Sequence, residues 1–179
     1  IDIMGSLLYK KDNWQAKDRR EPEKKEALLT RFSEHFILQA QKLDHMLSVL
    51  PEASVAVKSG VGAMHDVTEG GIFGALWEMA ESSGVGLFIE LKKIPLKQET
   101  VEICEFFHIN PYELISSGAM LMAAEDGNRL VLDLKQAGIF ATVIGKATAG
   151  NDRVLVNGEE RRFLEPPKTD ELYKAISYQ

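Results

Sequence analysis

Between residues 61 and 91 the hydrophobic period of the chain changes twice, and few folds accommodate such a switch. Residues 61–67 read as a short extended strand. Residues 70–83 read as a helix, with Ile72, Leu76, Met79 and Ala80 on one side and Gly84 where a C-cap is expected. Residues 85–91 alternate, with Val85, Leu87, Ile89 and Leu91 on one face of a second strand. A helix between two strands must bury its apolar side on a sheet, so the chain is committed to helices layered on strands.

The flanking segments extend this pattern. Leu29, Phe32, Phe36, Ala40, Leu43, Leu47 and Leu50 recur at steps of three and four, which predicts one helix that Ser33 can cap and Pro51 stops. A second short helix is expected over 51–60, since proline suits a first helical turn. Beyond Pro95 the pattern predicts a helix over 98–107, a turn from Asn110-Pro111 to Ser117 and a strand over 118–124. A helix over 128–137, a strand over 140–147 and a hairpin over 154–159 with a type I′ turn complete it. The expected class is α+β (mixed α/β), with helices packed on a mixed, largely antiparallel sheet.

The 179 residues, 45% of them hydrophobic, can build a core without metals or disulfides. The formal net charge of −6 argues against a nucleic-acid partner. The single cysteine, Cys104, excludes an intrachain disulfide, and its neighbours Val101, Ile103, Phe106 and Phe107 predict a buried, inert thiol. Cysteine usage fits a cytoplasmic protein. No apolar run approaches the roughly 18–20 residues that span a bilayer, so no membrane partner is expected. The mixed charges of residues 10–25 predict a solvated linker or an exposed helix start. The chain reads as a piece of a longer protein, with residues 1–8 as the last strand of a preceding domain.

The segment Met64-His65-Asp66-Val67-Thr68-Glu69-Gly70-Gly71 carries the densest chemistry. Asp66 or Thr68 can cap the following helix. A helix start with glycines in its first turn offers backbone N–H groups and a partial positive charge to a phosphate or carboxylate. A plain capped turn explains the same residues. His65 and Asp66, adjacent on a strand, point to opposite faces and are not expected to work as a pair. The segment is neither a P-loop nor a dinucleotide fingerprint. A second segment, Ser116-Ser117-Gly118 ahead of a small-residue strand, forms either a pocket lip or a loop whose hydroxyls satisfy local backbone. His35, His45 and His108 lack metal-ligand spacing, so no metal site is expected within the chain.

The ordered series His65-Asp66-Val67-Thr68-Glu69-Gly70-Gly71, Glu78-Met79-Ala80, Gly84-Val85-Gly86, Ile94-Pro95-Leu96, Asn110-Pro111, Ser116-Ser117-Gly118 and Val143-Ile144-Gly145 resembles the C-terminal domain of the AIR synthase (PurM-like) superfamily. Within it, the series is similar to the HypE-like hydrogenase maturation factors, and the resemblance covers roughly residues 53–164. It implies a PurM C-terminal-domain-like sandwich that closes over nucleotide phosphates, while a preceding domain supplies most of an ATP site and a homodimer core. Residues 1–32 would then be the remnant of that domain and a linker, and 33–179 the C-terminal domain.

The resemblance also implies ATP and Mg2+ as cofactors of the full-length protein, with neither held tightly by this chain, which alone is inactive. The implied chemistry is phosphoryl transfer that activates an amide-type oxygen, with a hydrogenase maturation protein as a possible partner. By motif match Asp66 and Thr68 are catalytic, and His65, Glu69, Gly70, Gly71, Ser116, Ser117 and Gly118 bind phosphate or substrate. HypE-like proteins end on an acceptor cysteine, whereas these residues close on Lys174-Ala175-Ile176-Ser177-Tyr178-Gln179. A different substrate or a truncated chain is the expectation there. A non-catalytic anion-binding or protein-interaction module that kept the fold is the alternative.

Overall fold

The computed structural model describes residues 20–177, so the expected strand at 1–8 and most of the charged linker lie outside the described residues. The elements run α1 (Arg20–Leu29), α2 (Glu34–Gln41), α3 (Leu50–Lys58), β1 (Ala63–Asp66), α4 (Gly71–Ser83), β2 (Gly86–Glu90), α5 (Gln98–Phe106) and β3 (Met120–Ala123). They continue with α6 (Gly127–Gln136), β4 (Gly145–Thr148), β5 (Arg153–Asn157), β6 (Glu160–Phe163) and α7 (Leu172–Ser177). This is the mixed α/β class expected, with one difference. The strands form two sheets, an antiparallel pair β1–β3 and a four-stranded sheet ordered β4-β2-β5-β6. Within the larger sheet β2 runs parallel to β5 and antiparallel to β4.

Three expectations about local structure are corrected. The single helix over 29–50 is broken. Ser33 adopts an extended conformation at the start of α2, and its hydroxyl accepts the Phe36 N–H at 3.2 Å. A side-chain cap there ends one helix and begins another. After Lys42 the chain tightens into a 3₁₀ turn, Lys42–Met46, where His45 Nδ1 meets the Lys42 carbonyl. Leu29, Leu47 and Leu50 are consequently exposed rather than part of one buried stripe.

The strand expected over 140–147 reduces to Gly145–Thr148. Its partner β2 stops at Glu90 and turns into a 3₁₀ segment, so residues before Ile144 have no ladder to join, and Phe140 is 79% exposed. The hairpin is present, but its register pairs Asn157 with Glu160, leaving Gly158-Glu159 as the loop. A type I′ turn needs positive φ at both loop residues. Gly158 has φ 65°, while Glu159 is not among the non-glycine residues with positive φ, which is the type II′ pattern.

Three apolar clusters organise the elements. Leu28 of α1, Ile37 and Ala40 of α2, Ile103 and Cys104 of α5 and Ala175 of α7 form one core. Phe73 and Leu76 of α4 pack with Ile89, Leu121 and Leu155 of the two sheets, which is the helix-on-sheet layer the period switch demands. Ala56, Leu130 and Leu134 join α3 to α6 beside β3. Among the described residues no helix is long and apolar enough to cross a membrane.

Cys104 sits in the first cluster at 1% exposure, the buried thiol that its neighbours predict. Burial pushes it up to about 12, and the Glu171 carboxylate adds in the same direction. At pH 8 the folded thiol therefore carries about three orders of magnitude less thiolate than an ordinary cysteine. Native protein is expected to resist a thiol-specific reagent at pH 8 and to react fully in denaturant. Prompt labelling of folded protein at Cys104 would contradict this placement.

Candidate functional site

β1 delivers His65 and Asp66 to the turn that opens α4, and two glycines shape the turn. Gly70 and Gly71 have φ of 77° and 61°, in the left-handed region open to glycine. A Cβ on Gly71 would lie 2.6 Å from the carbonyl oxygens of both Leu114 and Tyr112. The loop from Asn110 onward is therefore pressed against the helix start. The Phe73 N–H donates to the Tyr112 carbonyl at 3.0 Å, and the Phe73 and Tyr112 rings stack at 5.1 Å with an 8° tilt.

The two chemistry-bearing segments come together through the β1–β3 register. Asp66 pairs with Met120, and one step further the Val67 N–H donates to the Ala119 carbonyl at 2.9 Å. Beyond that bond both chains turn, Thr68 following Val67 and Gly118 preceding Ala119. Gly118 has a structural reason to be glycine, since a Cβ there would meet the Met46 carbonyl oxygen at 2.1 Å.

The polar groups divide into committed and uncommitted ones. The Ser116 hydroxyl donates to the Leu114 carbonyl at 2.9 Å, which is the local role. The hydroxyls of exposed Thr68 and half-buried Ser117 have no such bond among the described residues. The Asp66 carboxylate is 62% exposed, and Glu69 is exposed as well. His65, 29% exposed, places Nε2 3.0 Å from Glu78 Oε2 and Nδ1 2.6 Å from the Asp66 carbonyl oxygen.

Neither Asp66 nor Thr68 caps α4. Gly70 occupies the N-cap position without a side-chain cap from its own turn. Its N–H instead donates at 2.7 Å to Oδ2 of Asp170, one hundred residues downstream and 6% exposed. Oδ1 of the same carboxylate accepts the Leu172 N–H at 2.8 Å and so starts α7. The adjoining Glu171 accepts the Asn110 N–H at 3.1 Å and pairs with Lys174. These two buried acids strap the C-terminal segment across the α4 start and the 110–114 loop. A cleft of about 510 Å³ lies along the strap, lined by Gly70, Phe73, Arg162, Phe163 and Lys168.

Asp170 and Glu78 are the site-forming residues that the sequence reading missed. The run Thr169-Asp170-Glu171 ahead of Leu172, Ala175 and Ile176 is a helix-start pattern and was a usable signal for the first. Among the described residues, no group of three or more His, Cys, Asp or Glu side chains converges as a metal site would.

The family described as AIR synthase related protein, C-terminal domain, matches residues 17–157. Of the curated relatives, a putative hydrogenase expression/formation protein of Methanocaldococcus jannaschii is 35% identical over 115 residues, covering 62% of this chain and 34% of that protein. The carbamoyl dehydratase HypE of Rhodobacter capsulatus is 31% identical over 99 residues, covering 53% and 29%. The chain thus spans about a third of the length of these relatives. Among solved structures, E. coli HypE superposes with a TM-score of 0.63 at 22% identity, covering 71% of this chain and 41% of that one. HypE in complex with ATP gives 0.56 at 17% identity, covering 76% and 41%. Both share the fold.

Proposed function

The chain belongs to the family of AIR synthase related C-terminal domains, and from that membership we propose that it is the phosphate-facing half of an ATP-dependent, HypE-like hydrogenase maturation enzyme. The observation that supports this reading is the β1–β3 pairing, whose end, with the Val67 N–H on the Ala119 carbonyl, lies between the Thr68–Gly71 turn and the Ser116–Gly118 segment in sequence. Residues 33–179 are the closing domain and 1–32 the lead-in from a preceding domain, anchored by Leu28. That preceding domain supplies the rest of the nucleotide site and the homodimer contact, in a cytoplasmic protein that works with a second maturation protein.

The residues present suit a nucleotide phosphate only in part. Two hydroxyls are uncommitted, while the Gly70 N–H is already taken by Asp170. Mg-ATP supplies the phosphoryl group that turns an amide-type oxygen into a leaving group. Thr68 and Ser117 donate hydroxyl hydrogens to phosphoryl oxygens, and such preorganised donors carry much of phosphoryl-transfer catalysis. The exposed Asp66 carboxylate accepts the proton that leaves the amide nitrogen as its oxygen is phosphorylated. Glu69 orients the amide, while Gly70, Gly71 and Gly118 keep the backbone walls close.

The full-length protein is expected to melt higher with Mg-ATP than without it. At about one hundred times Kd the gain is about 2.7 kcal/mol. No shift at saturating nucleotide would favour the second reading, a non-catalytic module. The Asp170 carboxylate already seated on the helix N-terminus is the observation on that side.

A further inference from the structure

β6 is an edge of the four-stranded sheet, because it pairs with β5 alone. The Leu164 N–H donates to the Arg153 carbonyl at 2.7 Å, so Leu164 turns its backbone polar groups toward β5. Antiparallel pairs alternate, so Arg162 and Glu160 do the same, while Arg161, Phe163 and Glu165 turn theirs outward. Among the described residues nothing bonds the outward N–H and C=O groups of Arg161 and Phe163.

The two faces of this edge differ. Arg162 lies opposite Leu155 and over the Phe73 ring, so it belongs to the face that α4 covers. Phe163 lies on the other face, at the end of a cross-strand row Lys146–Phe88–Val154–Phe163. Phe88 and Val154 are half-buried, Phe163 is 66% exposed, and none of the three belongs to an apolar cluster. An open edge that ends on an uncovered aromatic ring is a template for another strand, and charge selects which. Antiparallel self-pairing must set outward groups against outward groups. One such register puts Arg161 opposite the partner's Arg161, and another puts Arg162 opposite the partner's Arg162. Like charges directly opposite each other are destabilising. The register centred on Phe163 avoids both. It sets Phe163 against the partner's Phe163, Arg162 against the partner's Leu164, and Arg161 against the partner's Glu165. Among the described residues Arg161 has no carboxylate partner, and Glu165 holds only the exposed Lys168, a surface pair of little worth.

We propose that β6 is a self-association edge, where two copies of this chain join antiparallel about Phe163 and continue the apolar row across a two-fold axis. The contact goes beyond the function proposed above, does not depend on it, and is separate from the homodimer contact proposed for the preceding domain.

Pairing about Phe163 brings the two copies of its Cα to about 5.5 Å, within disulfide reach. In the full-length protein, Phe163→Cys is expected to give a disulfide-linked dimer as its main product under mild oxidation. Arg161→Cys lies on the same edge but roughly 13 Å along the strand from its own copy, so it is expected to stay unlinked. Adding Arg161→Glu to Phe163→Cys sets glutamate against the partner's Glu165 and is expected to lose most of the linked dimer. Glu165→Arg on top of that pair is expected to restore it, a rescue that misfolding could not produce. Absence of linked dimer with Phe163→Cys, or equal linking at Phe163→Cys and Arg161→Cys, overturns the proposal. If that absence came with slow amide exchange at Arg161 and Phe163 in the unsubstituted protein, the preceding domain or another protein would be what covers the edge.

Discussion

Gly71→Ala is expected to destabilise the domain by about 2–5 kcal/mol, more than most single substitutions. Two costs combine. A side chain held at φ 61° carries about 1–2 kcal/mol of left-handed strain. The new methyl group would also stand 2.6 Å from two carbonyl oxygens and 2.8 Å from the Leu114 nitrogen, all backbone atoms that cannot rotate away. Overpacking of that kind adds about 1–3 kcal/mol or more. In a domain of this size the melting temperature falls by about 2–4 °C per kcal/mol, so a loss on the order of 10 °C is expected. Gly84→Ala is the control. It has nearly the same φ, 63°, with nothing within 4 Å of its Cβ position, and should cost only the strain. Relief of the clash requires the 112–114 loop to move off the start of α4. Equal melting points for the two variants would refute the close packing of loop on helix.

What the sequence made legible was what depends on neighbours a few residues apart. The strand, glycine turn and helix over 61–83 are encoded by local periodicity and by glycine's tolerance of positive φ, and they stand where periodicity puts them. Long-range partners were harder. The stripe from Leu29 to Leu50 satisfied the helical period, but a hydroxyl at Ser33 and a ring at His45 redirected the backbone. Residues 140–143 had a strand's composition and no strand beside them, because β2 had already ended. That Val67 and Ala119 meet was undecidable from spacing alone, since it follows from a β1–β3 register some fifty residues apart. Glu78 could be read as part of a motif, yet its contact with His65 depends on how the turn folds back.

Asp170→Ala is expected to have the other large effect, because it strips one buried and one half-buried backbone donor of their shared acceptor. The Gly70 and Leu172 N–H groups, now at 2.7 and 2.8 Å from the two carboxylate oxygens, would both lose their partner. An unsatisfied buried donor costs about 1–3 kcal/mol, and bonds to a carboxylate lie at the stronger end. A combined loss of about 3 kcal/mol follows, with α7 losing the acceptor at its start. Ala175 would then leave a core it shares with Ile103 and Cys104, and Cys104 should become reactive at pH 8. Asp170→Asn separates hydrogen bonding from charge. It keeps one oxygen as an acceptor but turns an NH2 toward the other donor, so about half the loss is expected if hydrogen bonds dominate. Loss equal to that of Asp170→Ala would mean that the helix terminus requires the negative charge. Amide hydrogen exchange at Gly70 reads the contact directly and should accelerate in both variants. If Asp170→Ala melted within a degree or two of wild type with Gly70 still protected, the C-terminal strap would not be what holds the start of α4.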